Sequence, residues 1–366
     1  MNLRVFDDIS MKDIHFSTFD VVIVGAGPAG CSAAKAAAHA GVKALVIDKK
    51  PVPGIPVQCG EYIPRLLLRE CPVPKSAIAQ PIEKIRYHCG EETGIIAAPG
   101  YGIYRDVFDA QLLAEALEWG AMVMTGACAR DKTSEGVLID YHGGEVLIRA
   151  SIIIGSDGPR SAVASWMGNE SMEVYVGAQK TVKANPDNTA DFYFSPGYSG
   201  GYAWMFPRGD RANVGVAVPY NESRHLKNYL NSFCGALSRE KKIAAGHVYR
   251  LTGGLIPVGG PQKKIVHENM ALAGDAAGQT NPLTGAGIAP AVLCGALAGE
   301  WAARAIKEQN LELLHEYDHA WRMLFEEPLQ RALESRKQLE RHQTSASFCE
   351  LVKQGWGFPV HMNPHE

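Results

Sequence analysis

The chain has 366 residues, 46% of them hydrophobic, with 36 basic against 39 acidic side chains and a formal charge of −3. That is apolar material for two or three domains or one large interleaved architecture, and the balanced charge, without long runs of one sign, gives no electrostatic basis for binding nucleic acid. Eight cysteines without a CxxC pair or zinc-ligand spacing read as reduced thiols of a cytosolic protein, and the longest weakly polar run, residues 287–299, is too short to span a bilayer.

Residues 1–18 form an arm carrying Asp7, Asp8 and Asp13, with no apolar segment of signal-peptide type, and Met11 is an alternative start. "VVIVGAG" (21–27) is a short β-branched run ending in glycine, "CSAAKAAAHAG" (31–41) is helical, and "VKALVID" (42–48) is a second buried strand. Together they predict a βαβ unit of parallel sheet. Two strands about a turn are expected over 82–98 and an amphipathic helix over 105–121. Residues 136–158 read as a hairpin about Gly143-Gly144 followed by another buried strand that ends in a Gly-Ser-Asp-Gly turn. From about 172 to 265, aromatic β-type runs broken by glycine and proline predict antiparallel sheet, with a helix near 222–240. Residues 268–306 return to strand, glycine-rich loop and long helix, and 311–342 is a charged amphipathic helix interrupted near Pro328. The expected fold class is α/β with an α+β substrate part. A Rossmann-like domain (19–80, 99–171, 266–306) is interleaved with an antiparallel substrate domain (81–98, 172–265), flanked by the arm 1–18 and a C-terminal helical segment 307–366.

Gly25, Gly27 and Gly30, in "GAGPAG" with Pro28 and Ala29, stand where a dinucleotide fingerprint must stand, after a strand and opening a helix. The first glycine permits the turn, the second lets a pyrophosphate approach the backbone, and the third lets helix pack on strand, while the helix start holds the phosphates. Asp48, with Lys49 beside it, ends the second strand where a ribose would lie. Far along the chain, Gly274 and Asp275 in "LAGDAAG" and the segment Gly285, Ala286, Gly287, Ile288 in "NPLTGAGI" supply a second cradle. The carboxylate suits a ribityl or ribose hydroxyl, and unpaired helix amides suit the pyrimidine edge of a flavin.

The combination of "GAGPAG", "GSDGPRSAV" (155–163) and "GDAAGQTNPLTGAGI" resembles the para-hydroxybenzoate-hydroxylase-like flavoproteins. Within that group, "PVQCGEYIP" (56–64) and "YAWMFPRGDRANVGVAV" (202–218) are similar to the Cys-Gly-Glu element and the Tyr-x-Trp-x-Phe-Pro signature of the geranylgeranyl reductase family, the likeness running from about 19 to 340. The resemblance implies FAD as cofactor, Arg105 (ahead of Asp109) at its phosphates or ribose, amides near Ala129 at its adenine, Asp157 as a cofactor neighbour, and Cys59 beside flavin and substrate. Taken as residues alone, Arg105 could equally cap or pair on the surface, Asp157 could be a turn residue, Cys59 an inert thiol and Glu61 a cap. Tyr202, Trp204 and Phe206 alternate on one face of a strand that Pro207 ends, which suits a pocket wall and a hydrophobic core alike. The family match implies a wall for a prenyl chain, where each buried CH₂ contributes about 0.8 kcal/mol.

The expected activity is hydride transfer from reduced flavin to an isolated prenyl double bond, with a proton from Cys59, Glu61 or an ordered water. No second dinucleotide fingerprint is present, so NADPH and a reduced protein both stand as electron donors. The alternative is a monooxygenase hydroxylating an aromatic ring, such as a tryptophan of a partner protein during quinone-cofactor maturation. A non-catalytic flavin-binding partner protein is the third class. Three departures from the reductase pattern keep the alternative in view: a compact chain, tyrosine rather than glycine after Cys-Gly-Glu, and Ala286 where glutamate is expected. The twelve histidines show no metal spacing. Leu311, Leu313, Leu314, Trp321, Leu324 and Phe325 on the late helix suit packing on the body or contact with a membrane, and the expected location is cytoplasmic or membrane-associated.

Overall fold

In a computed structural model, residues 18–65 and 72–358 are described, so the expected N-terminal arm lies outside them up to residue 17. The first β-branched run is β1 (Thr18–Val24), followed by α1 (Pro28–His39) and β2 (Ala44–Asp48). The chain then crosses to a second sheet through β3 (Tyr62–Pro64), β4 (Ile78–Cys89) and β5 (Glu92–Ile103). It returns with α2 (Arg105–Glu118), β6 (Met122–Thr125), β7 (Cys128–Lys132), β8 (Gly136–Tyr141), β9 (Gly144–Gly155) and the short α3 (Ala162–Trp166). A second excursion comprises β10 (Val174–Ala184), β11 (Thr189–Phe194), β12 (Tyr202–Arg208), β13 (Arg211–Pro219), α4 (Leu226–Arg239) and β14 (Ile243–Pro257). The last return is β15 (Val266–His267), β16 (Met270–Leu272) and α5 (Ile288–Lys307), before the C-terminal α6 (Leu314–Arg341) and α7 (Phe348–Trp356).

The strands form two sheets of eight. In the first, ordered β15-β16-β9-β1-β2-β6, the strands from β16 to β6 run parallel. They are near-continuous Val, Ile and Ala because helices cover both faces, and Val21, Val22 and Ile23 are wholly buried. In the second, ordered β14-β10-β13-β12-β11-β4-β5-β3, pairing is antiparallel apart from β11 beside β4.

Helices α1 and α5 pack backbone to backbone. A methyl group at Gly295 or Gly299 would strike the carbonyls of Ala29 and Ala33 respectively. Because both pairs advance in the same direction along the chain, the two helices run parallel and their N-termini emerge on the same side of the first sheet. The alanine-rich composition of α1 and the glycines of α5 are what allow this approach, and it places the two candidate cofactor cradles together.

Four expectations need correction. The second sheet takes in 62–64, 78–80 and 99–103 as well as 81–98, because the β4–β5 hairpin runs to full strand length on both sides of its turn. The hairpin arm after Gly143 and the following buried strand are one strand, β9, which leaves its antiparallel partner β8 and continues beside β1. Pro328 does not interrupt α6. It removes only the bond to the Leu324 carbonyl, which sits on an exposed residue, while Trp321 and Leu329 are buried on either side. Finally, Cys89 and Cys349 are joined in a disulfide across 260 residues, a pairing without any sequence spacing signal because only the docking of α7 on β4 brings them together. Cys31, Cys59, Cys128, Cys234 and Cys294 are free thiols, and Cys71 lies outside the described residues.

Helix α6 packs on the body through Leu314, Tyr317, Trp321 and Leu339, leaving Met323 and Leu324 exposed. Buried Arg336 anchors it, bonding both oxygens of Glu173 at 2.9 and 2.7 Å and Glu340 at 2.5 Å. Among the described residues no helix is long and apolar enough to cross a membrane, and no group of three potential metal ligands occurs.

Candidate active site

The dinucleotide end is built at the β1–α1 turn. Gly25 has φ 103°, a left-handed value that a side chain would strain, and a methyl there would collide with the Ser156 and Asp157 backbone. No side chain caps the N-terminus of α1 at Gly27, and a methyl at Gly27 would meet nothing within 4 Å. Open space in front of unpaired helix amides is what a pyrophosphate needs. The Asp48 carboxylate accepts from the Ala26 and Lys50 amides, each at 2.7 Å, which fixes it at the rim of this turn with lone pairs to spare for a ribose; Lys49 is exposed beside it. The Ala127 amide donates to the Asp48 carbonyl at 2.9 Å, so half-buried Ala129 follows along the same edge. Asp157 caps the next turn, accepting from Ala162 N at 2.7 Å with one oxygen, while its other oxygen is buried without a partner. Burial holds its carboxyl above the ordinary value.

The flavin end lies at the start of α5. Asp275 is half-buried and accepts a 2.5 Å bond from the Thr280 hydroxyl. Burial raises its carboxyl, and Thr280 and Arg105 act in the opposite sense. Gly285 takes φ 70°, and no side chain caps α5 at Gly287, so the amides of Ile288 and Ala289 have no intrahelical partner. The residues present therefore fit FAD: two uncapped helix ends, side by side, each with a carboxylate at its rim.

A cavity of about 460 Å³ joins these two ends to the second sheet, lined by Gly27–Ala29, Asp275 and Gly285–Ala289 on one side and by Cys59, Tyr202, Trp204 and Phe206 on the other. The three aromatic residues sit on one face of β12, as their alternation predicts. The Tyr202 hydroxyl donates to the Thr284 carbonyl at 2.5 Å, and Trp204 Nε1 donates to Gln179 Oε1 at 2.9 Å. Both polar handles are thus spent on protein, and the rings face the cavity.

The Cys-Gly-Glu element has a separate physical demand at each position. Cys59 lines the cavity with its Sγ accepting from the Glu61 amide at 3.3 Å. Gly60 is pressed on the Phe206 ring, where a methyl would come within 2.9 Å. Glu61, with φ 65° and 2% exposure, buries its carboxylate among donors from four elements. These are the Arg105 amide at 3.1 Å, Asn213 Nδ2 at 2.8 Å, Arg250 at 2.5 Å and Arg208 at 3.5 Å. Both oxygens are occupied as acceptors, so Glu61 offers no O–H to a substrate, contrary to its expected role as a proton source. Arg105 forms a two-pronged pair with buried Asp109 at 2.8 and 2.9 Å and also lines the cavity. Burial alone would lower its basicity, but Asp109 and Cys59 beside it more than compensate. The surface reading of Arg105 is therefore excluded.

Several site residues escaped the sequence reading. Asn213 is a lone amide within the apolar run of β13, and that anomaly was a usable signal. Gln179, Arg250, Phe192 and the C-terminal pair Trp356 and Phe358 carried none, since they meet the site only through sheet pairing and docking of α7.

Two substitutions probe the geometry. Glu61→Ala and Glu61→Gln both leave Arg208 and Arg250 without their counter-charge, and the glutamine also turns an NH2 toward donors, so each is expected to cost about 3 kcal/mol in denaturant unfolding; small losses in both would show that the carboxylate is not a hub. For Asp275, a folded-state value above the unfolded one means the folded chain holds the proton more tightly, so stability declines as pH rises from about 3.9 toward the raised folded value. Asp275→Asn should therefore leave the FAD-free protein equally or more stable at pH 7, a difference that vanishes in acid, while weakening FAD binding about tenfold by titration. Unchanged FAD affinity would remove Asp275 from the cradle.

Comparison with known proteins agrees with the site. Residues 20–159 match the model of FAD dependent oxidoreductases, and residues 173–254 match that of the geranylgeranyl reductase catalytic domain. The chain is 34% identical over 352 residues to a digeranylgeranylglycerophospholipid reductase of Methanocaldococcus jannaschii, covering 90% of this chain and 89% of that one. It is 37% identical over 346 residues to one from Methanopyrus kandleri, covering 86% and 89%. Such mutual coverage shows that compactness does not set it apart from archaeal lipid reductases. The crystal structure of a geranylgeranyl bacteriochlorophyll reductase-like protein from Thermoplasma acidophilum superposes with a TM-score of 0.82 at 27% identity, covering 93% of this chain and 97% of that one. A Pseudomonas aeruginosa protein described as "a probable FAD-dependent monooxygenase" shares the fold alone, with a TM-score of 0.70, 17% identity and coverage of 92% and 100%. On its sequence relatives, its two-cradle geometry and its aromatic cavity, the chain belongs to the geranylgeranyl reductase family of FAD-dependent oxidoreductases.

Proposed function

We propose that this protein reduces isolated double bonds in the prenyl chains of a lipid of the digeranylgeranylglycerophospholipid type. The observation that carries the reading is the continuity of the flavin cradle with a cavity whose wall is aromatic ring, its polar atoms turned into the protein. A hydroxylase acting on an aromatic ring is the weaker reading, because the relatives above 30% identity are named as reductases and the monooxygenase likeness is one of fold.

Gly25–Gly30 with Asp48 at the start of α1, and Asp275 with the amides of Gly285–Ile288 at the start of α5, would hold FAD, which when reduced would supply hydride for one alkene carbon. An unactivated alkene has no carbonyl to polarise, so the chain's contribution is orientation, exclusion of water and a proton for the other carbon. Cys59 is our candidate for that proton. It lies on the cavity, its Sγ accepting from the Glu61 amide and sitting beside the Arg105 guanidinium. Glu61 acts as a positioning residue, holding the loop of Cys59 against Arg105. NADPH and a reduced protein both remain electron-donor candidates, to be separated by mixing each anaerobically with the holoenzyme.

The test is to reduce the FAD-loaded protein with dithionite under nitrogen and add a geranylgeranyl lipid. Flavin reoxidation coupled to a gain of two hydrogens per double bond is expected, and Cys59→Ala should slow it about a hundredfold. Reoxidation only on admitting oxygen, with an oxygen atom in the product, would overturn the reading.

Substrate delivery also has a candidate surface. The cavity lining includes Gln58 and Gly253, both exposed and bonded to each other at 2.5 Å. Val52 and Ile55 stand exposed in the same loop as Gln58. We take this rim to face a bilayer. Val52→Asp with Ile55→Asp should cut co-sedimentation with anionic phospholipid vesicles about tenfold, while Met323→Asp on α6 changes nothing; failure of the wild type to sediment with vesicles would remove the membrane from this account.

A further inference from the structure

Helix α7 brings the chain back across the second sheet, and it is clamped there by three independent contacts. The disulfide Cys89–Cys349 ties its first turn to the end of β4. Lys353 Nζ donates to Glu92 Oε2 at 2.8 Å, reaching the first residue of β5. Just beyond the helix, Phe358 stacks on Tyr87 of β4 with ring centroids 4.6 Å apart. A covalent bond, an ion pair and an aromatic stack thus fix one short helix to one hairpin.

What the clamp positions is Trp356. Its indole meets Phe192, Phe194 and Tyr202 edge-on, at centroid distances of 5.0, 4.9 and 5.2 Å, and with Phe358 it lines the cavity beside β11 and β12. Its N–H is buried without a hydrogen-bond partner. Burying a donor unpaired is unfavourable, so stacking and the clamp, rather than the indole's own polar group, keep the ring in place. Such a wall is rigid only while its tether is intact.

We propose that this C-terminal strap is the specificity-determining wall of the cavity: Trp356 and Phe358 set how bulky a prenyl chain can enter, and Cys89–Cys349 holds them at that setting. The proposal rests on the prenyl-reductase reading and deepens it. A longer or bulkier chain must displace the indole from its contacts with Phe192, Phe194 and Tyr202, whereas a slimmer one fits the cavity without disturbing them. Reduction of the disulfide by a dithiol moves two electrons and two protons to Cys89 and Cys349, oxidises the dithiol to its own disulfide, and leaves the strap held by Lys353 and packing alone. Loosening of the wall should then mimic its truncation.

The experiment compares two prenyl lipids that differ by one isoprene unit, measuring both equilibrium binding by intrinsic fluorescence and kcat/KM with the FAD-loaded full chain. Trp356→Ala should shift the kcat/KM ratio toward the longer lipid by about tenfold or more; Trp356→Leu, a milder truncation, covers the case in which the alanine variant does not fold. Trp356→Phe should keep most of the original ratio. Cys349→Ser, and the dithiol-treated wild type, should shift it in the same direction by a smaller factor. An unchanged ratio in the folded truncations overturns the wall, and an unchanged ratio in Cys349→Ser overturns the clamp. A wild type that binds both lipids but reduces neither refutes the reductase reading while the binding ratios still decide the wall; one that binds neither refutes both.

Discussion

The buried carboxylate of Glu61 is the interaction on which the site depends. Its oxygens receive the first amide of α2 from the nucleotide side and Asn213, Arg208 and Arg250 from three strands of the second sheet. One residue in a left-handed conformation therefore joins the two sheets at the point where cofactor and substrate must meet. Two arginines around one carboxylate would be costly if any partner were missing, and that mutual dependence gives the loop from Cys59 to Glu61 a single position. The thiol on that loop then faces the cavity beside Arg105, and no separate device is needed to place it.

The second constraint is the close parallel contact of α1 and α5. Small residues are needed along it because any side chain at Gly295 or Gly299 would strike a carbonyl of α1. The consequence is electrostatic: two uncapped helix N-termini, each with an aspartate nearby, open into one cavity. A ligand that is anionic at its pyrophosphate and becomes more electron-rich on reduction is stabilised at both ends by the same kind of backbone dipole. The second sheet supplies what those helices cannot, an apolar wall. The spent hydrogen-bonding groups of Tyr202 and Trp204 make that wall indifferent to polar substrates.

Much of this was legible because the signals are local. "GAGPAG" between a strand and a helix, the aspartate ending β2, and the Tyr202-Trp204-Phe206 alternation all report on backbone geometry or on one face of one element. Where the reading failed, long-range contact had overruled local propensity. Pro328 reads as a break, but flanking burial carries α6 through it. Glu61 reads as an acid or a cap until its four donors are known, and three of these lie about 150 residues or more further along the chain. Cys349 reads as one reduced thiol among eight because nothing in its spacing points to Cys89.

The chain's own sequence determined the class of cofactor and the existence of two interleaved sheets, since glycine placement, β-branched runs and alternating aromatic residues constrain φ/ψ and burial wherever the rest of the chain goes. Only the tertiary structure decided which carboxylate is a hub, which arginine lies beside Cys59, and that a helix from the far C-terminus lines the cavity. Those outcomes depend on partners brought together by sheet order and helix docking, and charge pairing, disulfide formation and cavity shape act through space rather than along the chain.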